Sequence, residues 1–370
     1  MKISCEKSDL LNGVNIVSKA VPSKTTMSIL ECILIDTTKG DIKLTANDTE
    51  IGIETKIKGE IIESGIIAID AKLFLDIVRK LPDNKVIIET DNNNFVTTIT
   101  CEKAKFNIPG KSGDEYTRLP NVKKSDYINI SQFTLKEIIR QTIFSISDND
   151  NNKLMTGELF DIKGDELKVV ALDGHRIAVR KIKLNQTYSD NKVVVPGKTL
   201  IEISKILSGD TESRVNIFIT EKNIVFEFDN TIVVSRLIEG DYFNIDQMIS
   251  NDYSIKLKVN KKEFYNSIDR STLLVKEGDK KPIIVGINDE YMELKINSTL
   301  GSLNETINIE KEGNDILIGF NPKFLMDALR VIDDETISMY MVNPKAPCFI
   351  RNEDDSYLYL ILPVNFNNVG

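Results

Sequence analysis

Apolar positions along the chain follow two rhythms, and the pair of rhythms returns three times. Around Leu10, Val14 and Val17, around Leu135, Ile138 and Ile139, and between Lys261 and Leu273 they fall one helical turn apart. The stretches Leu10–Ala20, Phe133–Phe144 and Lys261–Leu273 therefore predict helices, each near the start of a unit. Alternating stretches follow them: Ile42–Ala46, Glu166–Val170 and Met292–Ile296. Strict alternation marks half-buried antiparallel strands. Each ends in a polar or turn-forming pair, Asn47-Asp48, Asp173-Gly174 and Asn297-Ser298. A second segment recurs as Ile67–Leu81, Val193–Leu207 and Ile316–Arg330, each an apolar strand, a turn, a lysine and a helix. Its lysines, Lys72, Lys198 and Lys323, stand 126 and 125 residues apart, a period that implies one fold used three times.

The pattern predicts an α+β protein of three repeated helix–strand units with six helices, strands dominating. The expected domains are residues 1–121, 126–250 and 253–370, parted by polar stretches near Asn121–Ser125 and Ser250–Tyr253. No low-complexity linker separates them, so the units are expected to pack rigidly. With 370 residues, 41% hydrophobic and 28% charged, the composition is that of a globular protein. No apolar run reaches the ~18 residues of a membrane helix, and the first residues lack a signal-peptide core. Cys5, Cys32, Cys101 and Cys348 are scattered without metal-ligand spacing. The expectation is a cytoplasmic protein with reduced thiols, no metal, no cofactor and no membrane partner.

The net charge of −9 argues against a nucleic-acid binder, but the charges are not evenly spread. Each of the six candidate helices is net positive, carrying Lys72, Arg79, Lys80, Lys136, Arg140, Lys198, Lys205 and Lys323 among its bases. If the helices share one surface, that surface faces a polyanion while the rest repels it. The bland alternative is that lysine favours helices over strands. Geometry adds a constraint. With helices about 8–10 Å apart, six in a circle leave no room for a duplex, whereas twelve leave roughly 28 Å. A duplex is about 20 Å across, so a ring around DNA needs two copies of this chain.

The segment Ala171-Leu172-Asp173-Gly174-His175-Arg176-Ile177-Ala178 resembles the Asp-Gly-His-Arg signature of the bacterial DNA polymerase III beta subunit family, the sliding clamps. The three-fold repeat and the ending Leu360-Ile361-Leu362-Pro363-Val364 agree with it. The resemblance implies a DNA-clamp fold in a head-to-tail homodimeric ring that encircles duplex DNA without sequence preference and catalyses nothing. It also implies partners, namely the replicative polymerase, the clamp loader and other proteins with short clamp-binding peptides. Their implied pocket comprises Met155, Leu172, Gly174, His175, Arg176, Ile177, Phe243, Gln247, Met248, Pro347, Leu360, Leu362, Pro363 and Val364. Apolar side chains would anchor the peptide, with His175 and Arg176 giving polar orientation at the edge. Leu172, Phe243 and Gln247 stand where Thr, Pro and Arg are common in the family, and seven residues follow Pro363. The head-to-tail contact would set Phe106 and Ile108 against Leu273 and Leu274, with Lys72 and Lys105 as charged neighbours. Lys24 and Asn149 match loop positions that reach DNA.

Other motifs fail on spacing. Gly110-Lys111-Ser112 and Gly197-Lys198-Thr199 end like phosphate-binding loops, but Lys105 and Lys192 occupy the positions of the required leading glycine. His175 is the only histidine and has no nucleophile-elbow context. Two further readings compete with the clamp: a repeat scaffold that binds peptides and never DNA, and a phosphotransferase with a degenerate phosphate loop.

Overall fold

The computed structural model describes residues 1–120, 122, 126–149, 151–275 and 281–366. Most of the expected first boundary, Asn121 and Lys123 to Ser125, and the end of the tail lie outside them. Six α-helices form among the described residues: α1 (Lys7–Val17), α2 (Ala71–Lys80), α3 (Gln132–Thr142), α4 (Gly197–Ile206), α5 (Lys261–Thr272) and α6 (Pro322–Val331). The sequence sets their starts. Asp70 accepts from Leu73 N at 2.8 Å, Asn260 from Glu263 N at 3.0 Å, and Asn321 from Lys323 N at 3.0 Å, with Pro322 in the first turn. Each side chain satisfies a backbone donor that the helix leaves unpaired, at about 1 kcal/mol apiece.

The strands form two antiparallel sheets. One has 13 strands, from Ile128–Ser131 at one edge to Glu60–Glu63 at the other; the second has 10, from Gly157–Leu172 to Ile316–Phe320. Each sheet crosses from one repeat into the next. Thr231–Arg236 pairs with Ile51–Ile57, Val233 opposite Ile53, and Arg176–Pro196 pairs with Tyr357–Ile361, Ile177 opposite Leu360. Sheet continuity explains why the chain divides into two compact units that cut the middle repeat. One is Met1–Lys136 with Lys198–Leu237, the other Glu137–Gly197 with Ile238–Gly370.

In the first unit α1 lies close on the sheet. A Cβ at Gly13 would come within 2.4 Å of Ile57 and 2.9 Å of Leu44, so only glycine permits that approach. In the second unit, Phe264 and Ile268 of α5 and Leu325, Ala328 and Leu329 of α6 pack with strand residues such as Leu257, Val285 and Ile318 in one buried core.

Two differences from the sequence expectation stand out. The first helix starts at Lys7, and both it and α3 end in 3₁₀ turns, Ser18–Ala20 and Ile143–Ser145. The middle strands are long, Gly157–Leu172 and Arg176–Pro196, and their pairing continues through register shifts on either side of Gly164. Gly110–Ser112 lies in the strand Ala104–Ser112 and Gly197 opens α4, so neither forms a phosphate-binding loop. All four cysteines are buried and unpaired. Among the described residues no helix is long and apolar enough to cross a membrane, and no cluster of His, Cys, Asp or Glu is arranged to hold a metal.

Candidate functional site

The segment that carries the family-like signature is a strand-to-strand turn in the second unit. Asp173 makes it: its Oδ1 accepts His175 N at 2.9 Å and Arg176 N at 3.1 Å. Gly174 sits at φ +89°, where a side chain would strain the backbone. On either side, Leu172 pairs with Ile177 and Ile177 with Leu360, so three adjacent strands present one apolar floor. Met155, Phe243 and Leu362 pack on that floor, half-buried. Leu362 is tied to the turn through its N–H to His175 O at 2.9 Å, and Val364 N–H donates to Gly319 O at 2.8 Å.

The segment 242–249 closes one side. Tyr242 and Ile245 are buried beneath it, while Met248 remains 44% exposed and Gln247 is exposed. Lys168 fixes this segment through Asp246 at 2.7 Å, and that contact holds the Asp246 carboxyl below its usual range. Pro347 and Pro363 are half-buried; Pro347 leads into the strand whose first residue, Cys348, pairs with Ile361. Leu154 and Ile249 join the same cluster. Sequence reading passed over both, although each adjoins a residue it chose.

One expectation is corrected. Arg176 is not an edge group: it is 7% exposed and fully engaged. Its guanidinium donates to Asp173 Oδ2 at 2.9 Å, to Asp327 Oδ2 on α6 at 2.7 Å and to Phe144 O, and lies 4.5 Å over the Phe324 ring. A buried cation needs such compensation. Arg176 thus braces the turn from behind, leaving His175 exposed and stacked beside Phe324 at 6.1 Å between ring centres.

The bases expected to face DNA divide into two groups. Lys24, Lys72, Arg79, Lys80 and Lys323 are exposed and form no ion pair among the described residues; Arg79 reaches only Asn15. Asn149 is also exposed. Lys198 pairs with Asp48, Lys205 with Glu202 at 2.7 Å, and Arg140 with Glu137 at 2.6 Å and Asp333 at 3.3 Å. Lys136 donates to Leu207 O at the end of α4. These four were expected to face DNA with the others; in the folded chain each already has a partner of its own.

The residues expected at a subunit contact lie in different units. In the first, Phe106 is 37% exposed and Lys105 and Lys72 are exposed, but Ile108 is only 6% exposed and belongs to the chain's own core. In the second, Leu273 is 78% exposed at the end of α5 and Leu274 is half-buried. Two strand edges nearby in sequence have one partner each. Among the described residues, 104–109 pair only with Val96–Cys101, and 301–308 only with Tyr291–Ser298. The second edge gave no sequence signal, because edge and central strands share the same alternation.

Comparison with known proteins covers the whole chain. Residues 1–120, 129–244 and 246–365 match the models of the N-terminal, central and C-terminal domains of the DNA polymerase III beta subunit. The beta sliding clamp of Staphylococcus epidermidis is 35% identical over 98% of this chain and 99% of its own length. A putative DNA polymerase III beta subunit of Eubacterium rectale superposes with a TM-score of 0.97 at 65% identity, covering 100% of both chains. The DNA polymerase sliding clamp of Bacillus subtilis superposes at 0.95 with 36% identity over 99% of this chain and 100% of that one. With all three domain models and full-length relatives in agreement, the chain belongs to the DNA polymerase III beta subunit family, the bacterial sliding clamps.

Proposed function

We propose that two copies of this chain close head to tail around duplex DNA, and that the depression at Leu172, Ile177, Leu360 and Leu362 takes short peptides of the polymerase, the clamp loader and other DNA-processing partners. As a family member the chain is a processivity factor with no catalysis of its own. Tethering raises a partner's effective concentration at its template without altering its chemistry. The unpaired strand edges at 104–109 and 301–308 support head-to-tail closure, since joining them would cover backbone that otherwise invites aggregation. Lys24, Lys72, Arg79, Lys80 and Lys323 supply weak phosphate contacts without reading bases.

The observation that supports the peptide reading is an apolar cluster edged by half-buried Met155, Phe243 and Leu362 and a 44%-exposed Met248, and braced by a turn that cannot shift without breaking the Arg176 ion pairs. Met248→Ala with Leu362→Ala removes anchor area on both sides of the floor. Peptide affinity should fall about 100-fold, as loss of two anchors of roughly 1–2 kcal/mol each implies. Fluorescence anisotropy of a labelled polymerase peptide reads this. Loss of the dimer in the same variant, by light scattering, would count against the assigned pocket. For encirclement, protein loaded on nicked circular DNA should stay until the circle is cut, then leave through the ends. A peptide scaffold would not be retained on the circle at all.

A further inference from the structure

The repeat places a second site where the first unit departs from the second. Pairing registers align the two sheet crossings row by row. In the second unit one row runs Leu172, Ile177, Leu360 and Phe349, and the next begins Val170, Val179 and Leu358. All seven are buried and apolar, so that face is solid. In the first unit the matching rows run Asn47, Gly52, Val234 and Val225, then Thr45, Glu54 and Ile232.

The upper row of the first unit is filled by the chain itself. Asn47 Nδ2 donates to Thr117 O at 2.7 Å, and Leu119 lies on Gly52 where a Cβ would come within 2.0 Å of Leu119 Cδ2. The lower row is not filled. Thr45 and Glu54 replace the valines, and a cavity of about 430 Å³ opens there. Its lining is mixed: Leu34, Leu119, Val122, Val225 and Val234 are apolar, while Thr45 and five charged side chains make up much of the rest. Charged groups surround it, and they are not balanced. Lys43 is held by Glu54 at 3.3 Å, and Asp36 accepts from Thr38 N at 2.9 Å and Thr38 Oγ1 at 2.6 Å. Lys39 and Arg118 form no ion pair among the described residues, and against the carboxylate of Asp36 they leave the lining with an excess of one positive charge.

We propose that this cavity is a second peptide site, distinct from the depression at Leu362. It takes an extended partner segment that sets an apolar side chain between Leu34, Val225 and Val234 and a carboxylate against Lys39 and Arg118. The volume suits one large side chain with its backbone, and the exposed bases discriminate by charge. The proposal rests on the first unit alone and does not need the Leu362 reading.

The test is a methyl NMR titration of the full chain with the acetylated, amidated tetrapeptide Asp-Leu-Leu-Asp. Saturable shifts are expected at Val225, Ile232 and Val234. Arg118→Glu, on the exposed crossing segment, should weaken binding by about ten-fold. Ile232→Trp sets a large ring at a half-buried position of the cavity lining and leaves the Lys43–Glu54 pair in place. It should fill much of the cavity, keep the fold and abolish the shifts at Val225 and Val234. Absence of shifts at Val225 and Val234 up to about 10 mM peptide, a binding free energy below about 3 kcal/mol, would overturn the proposal. So would shifts that survive in the filled variant, or shifts confined to Leu360 and Leu362; the last would leave the Leu362 reading intact.

Discussion

Leu273→Asp combined with Leu274→Asp is expected to leave folded single chains in solution. Leu273 ends α5 with 78% of its surface exposed, a large apolar group with no use inside its own chain. Its replacement should not harm the fold, and circular dichroism should match that of the parent. At a head-to-tail contact both carboxylates would be set against Phe106, and exposed Lys72 and Lys105 nearby would offset only part of their desolvation cost. An unpaired buried charge costs several kcal/mol, and a two-chain ring contains that contact twice. The measured mass should fall from two chains to one at micromolar concentration. Retention on closed circular DNA should vanish with it, because a single chain cannot enclose a duplex. An unchanged mass would mean that closure uses other surfaces.

How much of this was legible beforehand depends on how local each signal is. The six helices were readable because their periodicity and caps are local: Asp70 and Asn321 announce α2 and α6 within three residues. The three-fold repeat was readable because it recurs at constant spacing. What escaped is non-local. Arg176 looks like a surface residue until Asp327 appears 151 positions away, and Lys198 looks free until Asp48 appears 150 positions away. Arginine is rarely buried, so the sequence default placed it at the rim. The cavity beside Thr45 was invisible for a related reason. Its lining comes from five separate strands, and from Leu119 on a crossing segment that has no periodicity of its own. Continuity of each sheet between repeats was equally hidden, because alternation fixes which face a side chain takes but not which strand lies alongside.

Glu158 was legible in principle. Alternation along Gly157–Leu172 sets it on the same face as Phe160 and Ile162, and all three are at most 1% exposed. Neither carboxyl oxygen has a hydrogen-bond partner among the described residues, and Gln141 Oε1 and Ser145 Oγ are also buried without one. The neighbouring Thr142 hydroxyl donates to Ile138 O at 2.7 Å, and its opposing influence on the carboxyl is smaller than that of burial. Burial accordingly raises the Glu158 carboxyl from 4.5 to about 8, which leaves the folded chain protonated there at neutral pH. Unfolding then releases that proton. The folded state keeps the proton-linked stability below pH 4.5 and loses it as pH rises towards about 8. At about 1.4 kcal/mol per pH unit the loss is roughly 3 kcal/mol by pH 7. Glu158→Gln has nearly the same shape and no proton to lose. It should match the parent at pH 4 and become more stable than it as pH rises, by roughly 3 kcal/mol at neutrality. Urea unfolding of both proteins at a series of pH values reads this directly. Parallel stability curves between pH 5 and 8 would show instead that Glu158 ionises freely in the folded chain, reached by water that compensates its charge.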